Sequence, residues 1–455
     1  MKRKALLKSI LYFGCMLLIV NQPLFSFADK YLDEAEERKL LPVQSNQIEN
    51  WPEGPSIGAG SAVLLDANSG VILYEKNIHE KMYPASTTKL MTCLLAMEKE
   101  NVSLNDMVDF SHEAVFSVPP DGSNMGMDEG EAMTLEDCLY GILVLSANEV
   151  SCAVAEYVAG SEDKFVKLMN DRAKELGCED THFNNSHGYT DSNHYTSAYD
   201  LALIGREFFK NELLAKISRT RLYHWYPTDT QPDDIYLGSK NYFITGAYNC
   251  EGFVGSKTGY TDESRQVLVT CAERNDMRLI CVIMQEEPPY QYEDTLALFN
   301  YGFNNFEKVN VSEVETRYSI STDGFFKTDE DIFGNSKPIM KMDTTSTVLL
   351  PKTAVFNDLT TTLDYNTSNP NEIAEILYDY NGKYVGRAKL LLAEENTASF
   401  VFDKETTEEV IDNDEAPTFI YVNTIIKWIA MAIGALIIIL LIRRILSNFH
   451  FSSKR

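Results

Sequence analysis

The chain has two long apolar segments, one near each end. We expect the folded domains to lie in the residues between them. The longer one runs from Ile425 to Ile442, is interrupted only by Lys427, and is followed by Arg443 and Arg444. About 20 mostly apolar residues cross a bilayer core, and flanking arginines favour the cytoplasmic side. We therefore expect a membrane-spanning helix over residues 419–442 and a cytoplasmic tail over 443–455, with the folded part on the outer side.

The first 28 residues have the pattern of an export signal. Basic residues from Lys2 to Lys8 precede an apolar run from Ile10 to Val20, and small residues stand at Ser26 and Ala28. The run has 11 residues, too few to span a membrane. The sequence predicts cleavage after Ala28, export, and a single-pass protein of the cell membrane.

Composition excludes several classes of partner. The chain has 67 acidic and 40 basic side chains, a formal net charge of -27, so we expect no nucleic-acid partner. The seven cysteines beyond the signal are widely spaced, often inside apolar runs, and no paired Cys or His spacing indicates a metal site. We expect no metal and no cofactor.

Apolar patterning divides the exported part into segments. Residues 58–305 begin and end with predicted hairpins, around 68–70 and 275–276, with helical spacing between them. This pattern predicts an α/β or α+β domain with an antiparallel sheet flanked by helices. Residues 29–57 form a lead segment, 306–402 read as a small all-β domain with a turn at Asn381-Gly382, and 403–418 as an acidic linker.

A serine three residues before a lysine stands where an apolar helix begins, in the stretch YPASTTKLMT. Helical spacing would place Lys89 one turn after Ser86 on the same face. A serine becomes a nucleophile when a base takes its proton, and lysine serves only if burial or a nearby cation lowers its pKa. The same spacing at Ser161 and Lys164 lies in an ordinary helical stretch, so the motif alone is weak.

Two further short motifs supply the missing groups. Lys257 is a candidate second cation, followed by Thr258 as a hydroxyl donor and by Gly259, which permits close backbone approach. Ser146 and Asn148 lie in a predicted loop after an apolar helix; helix capping is the alternative interpretation of this pair. The three motifs together in this order are far less common by chance than any one of them.

Ser-x-x-Lys, Ser-x-Asn and Lys-Thr-Gly together resemble the signature of penicillin-binding proteins and serine β-lactamases. The stretches ASTTKLMT, LYGILVLSANEV, FVKLMNDRAKELG, NSHGYTDSNHYTSAYDLALI and VGSKTGYTDE are similar to the low-molecular-weight penicillin-binding proteins, the serine-type D-alanyl-D-alanine carboxypeptidases of the peptidase S11 type. The similarity covers about Gly58 to Phe306. It implies a penicillin-binding, β-lactamase-like fold for residues 58–305.

The resemblance also implies a reaction and its residues. Ser86 would attack the penultimate D-alanine of a peptidoglycan stem peptide and Lys89 would accept its proton, releasing terminal D-alanine. Ser146, held by Asn148, would relay a proton to the leaving amine, and Lys257 would supply positive charge. Thr258 would bind the terminal carboxylate, beside Gly259, and the backbone N–H groups of Ser86 and Tyr260 would form the oxyanion hole. β-Lactam antibiotics would acylate Ser86 and act as inhibitors.

Two departures from the family pattern stand out. Family members commonly carry a carboxylate-binding arginine at the position of Gln291, and Arg265 is a candidate replacement whose alternative is an exposed strand charge. Many relatives end in an amphipathic helix lying on the membrane, whereas this chain is predicted to span it.

Two other functions compete with the carboxypeptidase. A β-lactamase would need a deacylating base, and no Glu-x-x-x-Asn stands between Asn148 and Lys257. A catalytically weakened wall-binding or sensor protein is suggested by Gln291, but the intact motif residues favour an enzyme. The sequence leaves open whether cross-links are also cut.

Overall fold

The computed structural model describes residues 27–318, 340–367, 369 and 371–392. No helix within these ranges combines the length and apolar character needed to cross a membrane. The predicted spanning helix over 419–442, the linker, the tail and nearly all of the export signal lie outside the described residues.

Fifteen strands are described. In chain order, β1 to β15 are Ser61–Asp66, Ile72–Lys76, Met107–Asp109, Ala132–Thr134, Leu222–Trp225, Ile235–Gly238, Phe253–Thr261, Arg265–Arg274, Met277–Glu286, Phe306–Asn310, Met340–Met342, Thr347–Pro351, Thr360–Asp364, Glu372–Tyr380 and Lys383–Leu392. Apolar and β-branched residues dominate the longest of them, which fits their burial in sheets.

Eleven α-helices are described. In chain order, α1 to α11 are Phe27–Arg38, Lys89–Glu98, His112–Phe116, Leu135–Tyr140, Asn148–Ala159, Glu162–Glu175, Ala198–Lys210, Glu212–Ile217, Tyr242–Thr245, Tyr290–Asn305 and Val311–Val314. Short 3₁₀ turns cover Gln44–Gln47, Ala85–Thr88 and Phe356–Asp358, and Gly141–Leu145 forms a π-helical turn.

The central sheet is antiparallel, with strand order β2-β1-β9-β8-β7. Strand β1 pairs with β9, so the beginning and the end of residues 58–305 close the same sheet. Both hairpins predicted from the sequence are present, and Asn275 and Asp276 adopt the positive φ angles of 50° and 61° that a tight hairpin turn requires. The predicted α/β architecture with a flanked antiparallel sheet is confirmed.

Alternating residues of this sheet enter two different cores. Val269 and Ile280 face a core shared with α7 and the other helices of residues 85–217, whereas Leu268 and Leu279 face α10. Strand β7 stands at one edge of the sheet and contacts the Ala85–Thr88 turn. The three motifs therefore lie where the helices of residues 85–217 meet this edge strand.

A second antiparallel sheet follows α10, with strand order β10-β12-β15-β14-β13 and β11 paired with β15. The predicted turn at Asn381-Gly382 joins β14 and β15, with φ angles of 50° and 79°. The described residues 306–392 are mostly strand, as the sequence predicts. The domain boundaries themselves stay a prediction.

Candidate active site

A strained turn presents the hydroxyl of Ser86. Ala85 has a φ of +48°, unusual for a residue with a side chain, and residues Ala85–Thr88 form one 3₁₀ turn before the helix begins at Lys89. Thr87 Oγ1 donates to Pro84 O at 2.6 Å and Thr88 Oγ1 donates to Ala85 O at 2.8 Å. The sequence predicts Ser86 at the N-terminus of a helix; the structure places it in the turn that precedes one.

The ammonium of Lys89 is enclosed by three acceptors. Its Nζ donates to Ser86 Oγ at 3.1 Å, to Asn148 Oδ1 at 2.7 Å and to the His187 carbonyl at 2.5 Å. Burial lowers the pKa of Lys89 well below its usual range, and the nearby Lys257 charge lowers it further. A lysine with such a pKa releases its proton readily and then accepts one from a hydroxyl within hydrogen-bond distance.

A second serine and lysine pair is formed by Ser146 and Lys257. Lys257 Nζ donates to Ser146 Oγ and to Thr258 O, both at 2.9 Å. Ser146 adopts a left-handed conformation, with φ of 69°, directly after the π-helical turn Gly141–Leu145. Burial lowers the pKa of Lys257 to about 8. Asn148 opens α5 as its first residue, so its side chain is free to reach Lys89.

Strand β7 passes close to the Ser86 turn at Gly259, where a side chain would be tightly packed. A Cβ atom on Gly259 would lie 3.0 Å from Pro84 O and 3.0 Å from Ser86 N. The sequence predicts that Gly259 permits close approach of a ligand. In the structure the close neighbour is the nucleophile turn itself, so Gly259 lies directly beside the backbone nitrogen of Ser86, and the oxyanion hole of Ser86 and Tyr260 stays a prediction.

The loop before α7 supports the turn from the other side. His194 Nδ1 accepts from Asn184 N at 2.9 Å, so its Nε2 carries the proton and donates to Thr88 Oγ1 at 2.8 Å. Burial lowers the pKa values of His187 and His194 to about 3, which keeps both rings neutral. These histidines therefore order the loop rather than titrate near neutral pH.

A cleft of about 820 Å³ lies beside these groups. Predicted site residues line it, and they are Ser86, Ser146, Asn148, Lys257, Thr258, Gly259, Tyr260 and Gln291. The structure thus brings together residues that are up to 205 positions apart, since Ser86 and Gln291 lie at opposite ends of the region. Their individual catalytic roles stay predictions.

Arg265 is held away from the cleft. Its Nε and Nη2 donate to the two carboxylate oxygens of Glu287 at 3.0 and 2.6 Å, and its guanidinium lies 3.9 Å from the centre of the Tyr31 ring. Arg265 also donates to the Tyr260 hydroxyl at 3.1 Å, so it contacts a residue of the cleft wall. Within the described residues Arg265 is not among the lining side chains, and the geometry favours an ion-pair role.

A loop that none of the sequence motifs includes also lines the cleft. Asp121, Gly122 and Ser123 line the cleft, and the Ser123 carbonyl accepts from Asn148 N at 2.8 Å. The buried Glu149 accepts from Met125 N and so ties this loop to α5. In the sequence, the only indication that Glu149 belongs to the site is its position directly after Asn148.

One group of potential metal ligands occurs among the described residues. Donor atoms of Cys152, Glu162 and His187 lie within 4.8 Å of one another. Ser186 already bonds to two of them, with its N donating to Glu162 Oε1 at 2.7 Å and its Oγ to Cys152 Sγ at 3.9 Å. These contacts account for the group as an anchor of the loop, and the predicted absence of a metal stays a prediction.

Known proteins resemble this chain over the same region. The family model described as D-alanyl-D-alanine carboxypeptidase, peptidase S11, matches residues 48–287. D-alanyl-D-alanine carboxypeptidase DacF of Bacillus subtilis is 37% identical over 253 residues, which cover 55% of this chain and 63% of that protein. DacD of Escherichia coli is 32% identical over 269 residues, 57% of this chain and 67% of that protein.

Solved structures agree with the sequence relatives. Penicillin binding protein 5 from Haemophilus influenzae superposes with a TM-score of 0.59 at 26% identity, covering 75% of this chain and 98% of that one. The coverage of this chain exceeds that of the family model, so the structural likeness extends beyond residues 48–287.

Proposed function

This chain belongs to the D-alanyl-D-alanine carboxypeptidase family of serine peptidases, and we propose on that basis that it removes the terminal D-alanine from peptidoglycan stem peptides. The proposed enzyme is a serine-type carboxypeptidase that also binds penicillin, in keeping with the relatives named above. Such trimming belongs to cell-wall synthesis and contributes to cell shape.

One observation carries the proposal: Ser86 Oγ lies 3.1 Å from the Nζ of a fully buried lysine whose pKa is lowered by burial and by a second lysine. Serine needs a base at hydrogen-bond distance, and a lysine acts as that base only in its neutral form. The predicted pairing of Ser86 with Lys89 therefore has the geometry and the electrostatics that its chemistry requires.

The proposed reaction proceeds through an acyl-enzyme. Ser86 Oγ attacks the carbonyl carbon of the penultimate D-alanine while its proton passes to Lys89. The C–N bond then breaks, the leaving amine takes a proton through Ser146, and terminal D-alanine departs. Water next attacks the ester, the stem peptide leaves with a new carboxylate, and Ser86 regains its proton. Lys257 Nζ lies 2.9 Å from Ser146 Oγ, and its positive charge stabilises the negatively charged intermediates.

The same arrangement argues against efficient β-lactam hydrolysis. In the described part of the chain, no carboxylate is hydrogen-bonded to Ser86 or to Lys89. A β-lactamase needs a base that activates water for deacylation, and an acyl-enzyme without one persists. We therefore expect β-lactams to inhibit this enzyme rather than to serve as its substrates.

Export and membrane attachment complete the proposal, and their support is the sequence alone. The signal over residues 1–28 and the apolar run before Arg443 suggest an extracytoplasmic catalytic domain held by one spanning helix. Fractionation tests this part: the full chain should stay with membranes after high-salt washing, and a chain that ends at Thr418 should be released. Recovery of the full chain in the soluble fraction would contradict it.

The catalytic proposal is tested by D-alanine release from diacetyl-L-Lys-D-Ala-D-Ala with the full chain in mild detergent. Ser86→Ala should abolish both this release and covalent labelling by a fluorescent penicillin. Ser161→Ala is the matched control, because Ser161 has the same spacing to a lysine but caps α6, and its release rate should equal that of the unmodified chain. Peptide binding without any release by the unmodified chain would instead favour the wall-binding or sensor function.

A further inference from the structure

The hairpin of β5 and β6 packs against the turn that leads into Ser146. On its inner face, Trp225 is buried in the core of the helices. Strand β6 contacts the π-helical turn Gly141–Leu145, which ends directly before Ser146. The ring of Tyr223 stacks on that of Tyr140, with centres 3.7 Å apart and planes 6° from parallel. The hairpin is therefore a packed part of the catalytic region.

The outer face of this hairpin carries aromatic side chains. Side chains alternate between the two faces of a strand, and the face that meets water is ordinarily polar. Here His224 and its cross-strand partner Tyr236 have parallel rings 4.0 Å apart, and the Tyr226 ring lies 3.8 Å from that of His224. Tyr226 is 67% exposed and Tyr236 is 60% exposed. Single exposed apolar side chains need no explanation, but a group of stacked, exposed rings indicates a binding surface.

This aromatic face adjoins the cleft. Strand β6 ends at Gly238, where an added Cβ would meet nothing within 4 Å, so no side chain separates Tyr236 from the end of the strand. The next two residues, Ser239 and Lys240, line the cleft. Tyr236 is thus about 10 Å from the cleft wall along the chain, at ~3.4 Å per residue.

The proposed substrate extends beyond its reacting end. A stem peptide is joined at its other end to a sugar of the glycan strand. When a stem of roughly five residues loses its last one, about four residues and about 13 Å of extended chain separate the broken bond from that sugar. The sugar of a bound stem therefore meets the surface beside the cleft rather than the groups around Ser86.

Charge and polarity favour a sugar polymer on this surface. The sequence between Tyr226 and Tyr236 contains Asp229, Asp233 and Asp234 and no lysine or arginine, so it repels an anionic lipid surface. Amino sugars of a glycan are uncharged, and their C–H groups pack on the faces of aromatic rings, where the π electrons carry partial negative charge. Their hydroxyl groups donate hydrogen bonds to carboxylates. Aromatic rings beside exposed carboxylates therefore match both halves of a sugar.

We propose that Tyr226, His224 and Tyr236 form a platform that binds the glycan strand of peptidoglycan. Sugar rings pack on the two exposed tyrosines, and the stem that the strand carries enters the neighbouring cleft toward Ser86. Binding involves no covalent step. The inference rests on the proposed function and specifies its substrate, which is a stem still attached to glycan.

The first test measures glycan binding without catalysis. Labelled glycan strands, freed of their stems by an amidase, are titrated with the full chain in mild detergent, and fluorescence anisotropy gives the Kd. The double variant Tyr226→Ser/Tyr236→Ser should raise this Kd about threefold to tenfold, the range that aromatic contacts supply. Tyr226→Phe/Tyr236→Phe keeps the rings and should bind like the unmodified chain. Tyr365→Ser is the matched control, because Tyr365 is 68% exposed but lies beside the second sheet.

The second test measures catalysis on the same stem peptide, either free or attached to a short glycan strand. The unmodified chain should have the higher kcat/KM on the attached stem, through a lower KM. Tyr226→Ser/Tyr236→Ser should lose that advantage and keep its rate on the free peptide, since neither tyrosine contacts the reacting groups. Thermal unfolding temperatures close to that of the unmodified chain would confirm that the variants are folded.

The outcomes separate this inference from the proposed function. D-alanine release without glycan binding, or with equal Kd values in the unmodified chain and the serine variant, would overturn the platform alone. Self-association that the serine variant loses, in a chain that does not bind glycan, would assign the surface to a second copy. Tyrosine-dependent glycan binding by a folded chain that releases D-alanine from neither substrate would confirm the platform and overturn the carboxypeptidase, in favour of the wall-binding function.

Discussion

At the scale of single residues, the two site lysines differ in what surrounds them. Lys89 has three acceptors, Ser86 Oγ, Asn148 Oδ1 and the His187 carbonyl, and its pKa is lowered by burial and by Lys257. Lys257 has two acceptors, and its pKa is lowered by burial to about 8. The nearby charge of Lys257 thus helps to keep Lys89 in the neutral form that a base requires.

The activity should therefore show two limbs of pH dependence. As pH rises through the lowered pKa of Lys89, this amine loses its proton and kcat/KM increases; as pH rises through about 8, Lys257 loses its charge and kcat/KM decreases. In Lys257→Arg the guanidinium stays charged throughout, so the alkaline limb should move beyond pH 10 even if the overall rate falls. Rates on an uncharged peptide between pH 5 and 10 measure this, and an unmoved alkaline limb would assign it to another group.

Among the described glycines, Gly188 has the shortest contact with an added Cβ. It has a φ of +87°, and an added Cβ would lie 1.9 Å from the Ala85 carbonyl oxygen, inside the turn that presents Ser86. We expect Gly188→Ala to lower the rate of penicillin acylation by more than about tenfold, because the turn must shift by more than the roughly 1 Å that catalytic geometry tolerates.

Gly130→Ala is the matched control for that change. Gly130 has the same φ of +87° but nothing within 4 Å of its added Cβ, so it tests the backbone strain without the clash. It should cost about 1–2 kcal/mol of stability and leave acylation close to normal. Equal acylation rates in the two variants would show that the contact between Gly188 and Ala85 does not hold the nucleophile.

Site residues could be predicted from the sequence where a motif sets a short, fixed spacing between them. Ser86 and Lys89, or Ser146 and Asn148, are separated by fixed short intervals, and their motifs identify them. Other contacts at the site are not encoded in that way. The His187 carbonyl is a backbone group, Gln266 is reached through strand register, and Glu149 acts through a loop of residues 121–127. Such contacts depend on long-range packing that no local pattern specifies.

At the scale of elements, the central sheet carries helices on both faces, and each approaches through a glycine. Gly205 of α7 would place a Cβ 3.1 Å from Val269 Cγ1, whereas Gly302 of α10 would place one 2.7 Å from both Leu64 Cδ2 and Leu279 Cδ1. All these leucines are fully buried and have little room to move. The closer approach therefore belongs to α10, the helix that carries Gln291.

Alanine substitutions should have different effects on stability in the two helices. Each exchange of glycine for alanine within a helix gains up to about 1 kcal/mol of intrinsic helix propensity, so the difference between the two variants reports packing. Gly205→Ala should be neutral or slightly stabilising, and Gly302→Ala should destabilise by about 1–2 kcal/mol through overpacking. Urea unfolding measures both, and equal changes would mean that α10 adjusts its position at no cost.

Elements were predictable where turn chemistry and periodicity agree. Asn275-Asp276 and Asn381-Gly382 tolerate positive φ, and both hairpins form at those residues. The sequence predicts a loop at Ser146 and Asn148 within the helical spacing of residues 134–159, and the chain there divides into α4, a π-helical turn and α5. The π-helical turn Gly141–Leu145, which leads directly into the left-handed Ser146, is the part that the sequence pattern does not indicate.

At the scale of the whole molecule, one hydrophobic core joins the central sheet to the second sheet. Buried residues on the α10 side of the first sheet and on the inner face of the second belong to the same cluster. The Trp51 and Phe306 rings lie 5.1 Å apart, and Trp51 Nε1 donates to the Leu73 carbonyl at 3.0 Å. Lys383 of the second sheet also pairs with Glu75 of the first. The lead segment before residue 58 thus packs where the two sheets meet.

A shared core predicts that both sheets unfold together. Calorimetry of the full chain should show one transition for the folded part, with calorimetric and van't Hoff enthalpies that agree, since buried residues of both sheets belong to one cluster. Acylation of Ser86 by penicillin should then shift that entire transition. Two separate transitions, of which penicillin moves only one, would show that residues 306–392 are an independent domain and that the contacts of Trp51 and Lys383 contribute little. The outcome also bears on the cleft, because α10 carries Gln291 and contacts strands of both sheets, β9 and β10. A cooperative unit holds that helix against both sheets, whereas independent sheets would leave the end of the cleft free to change shape.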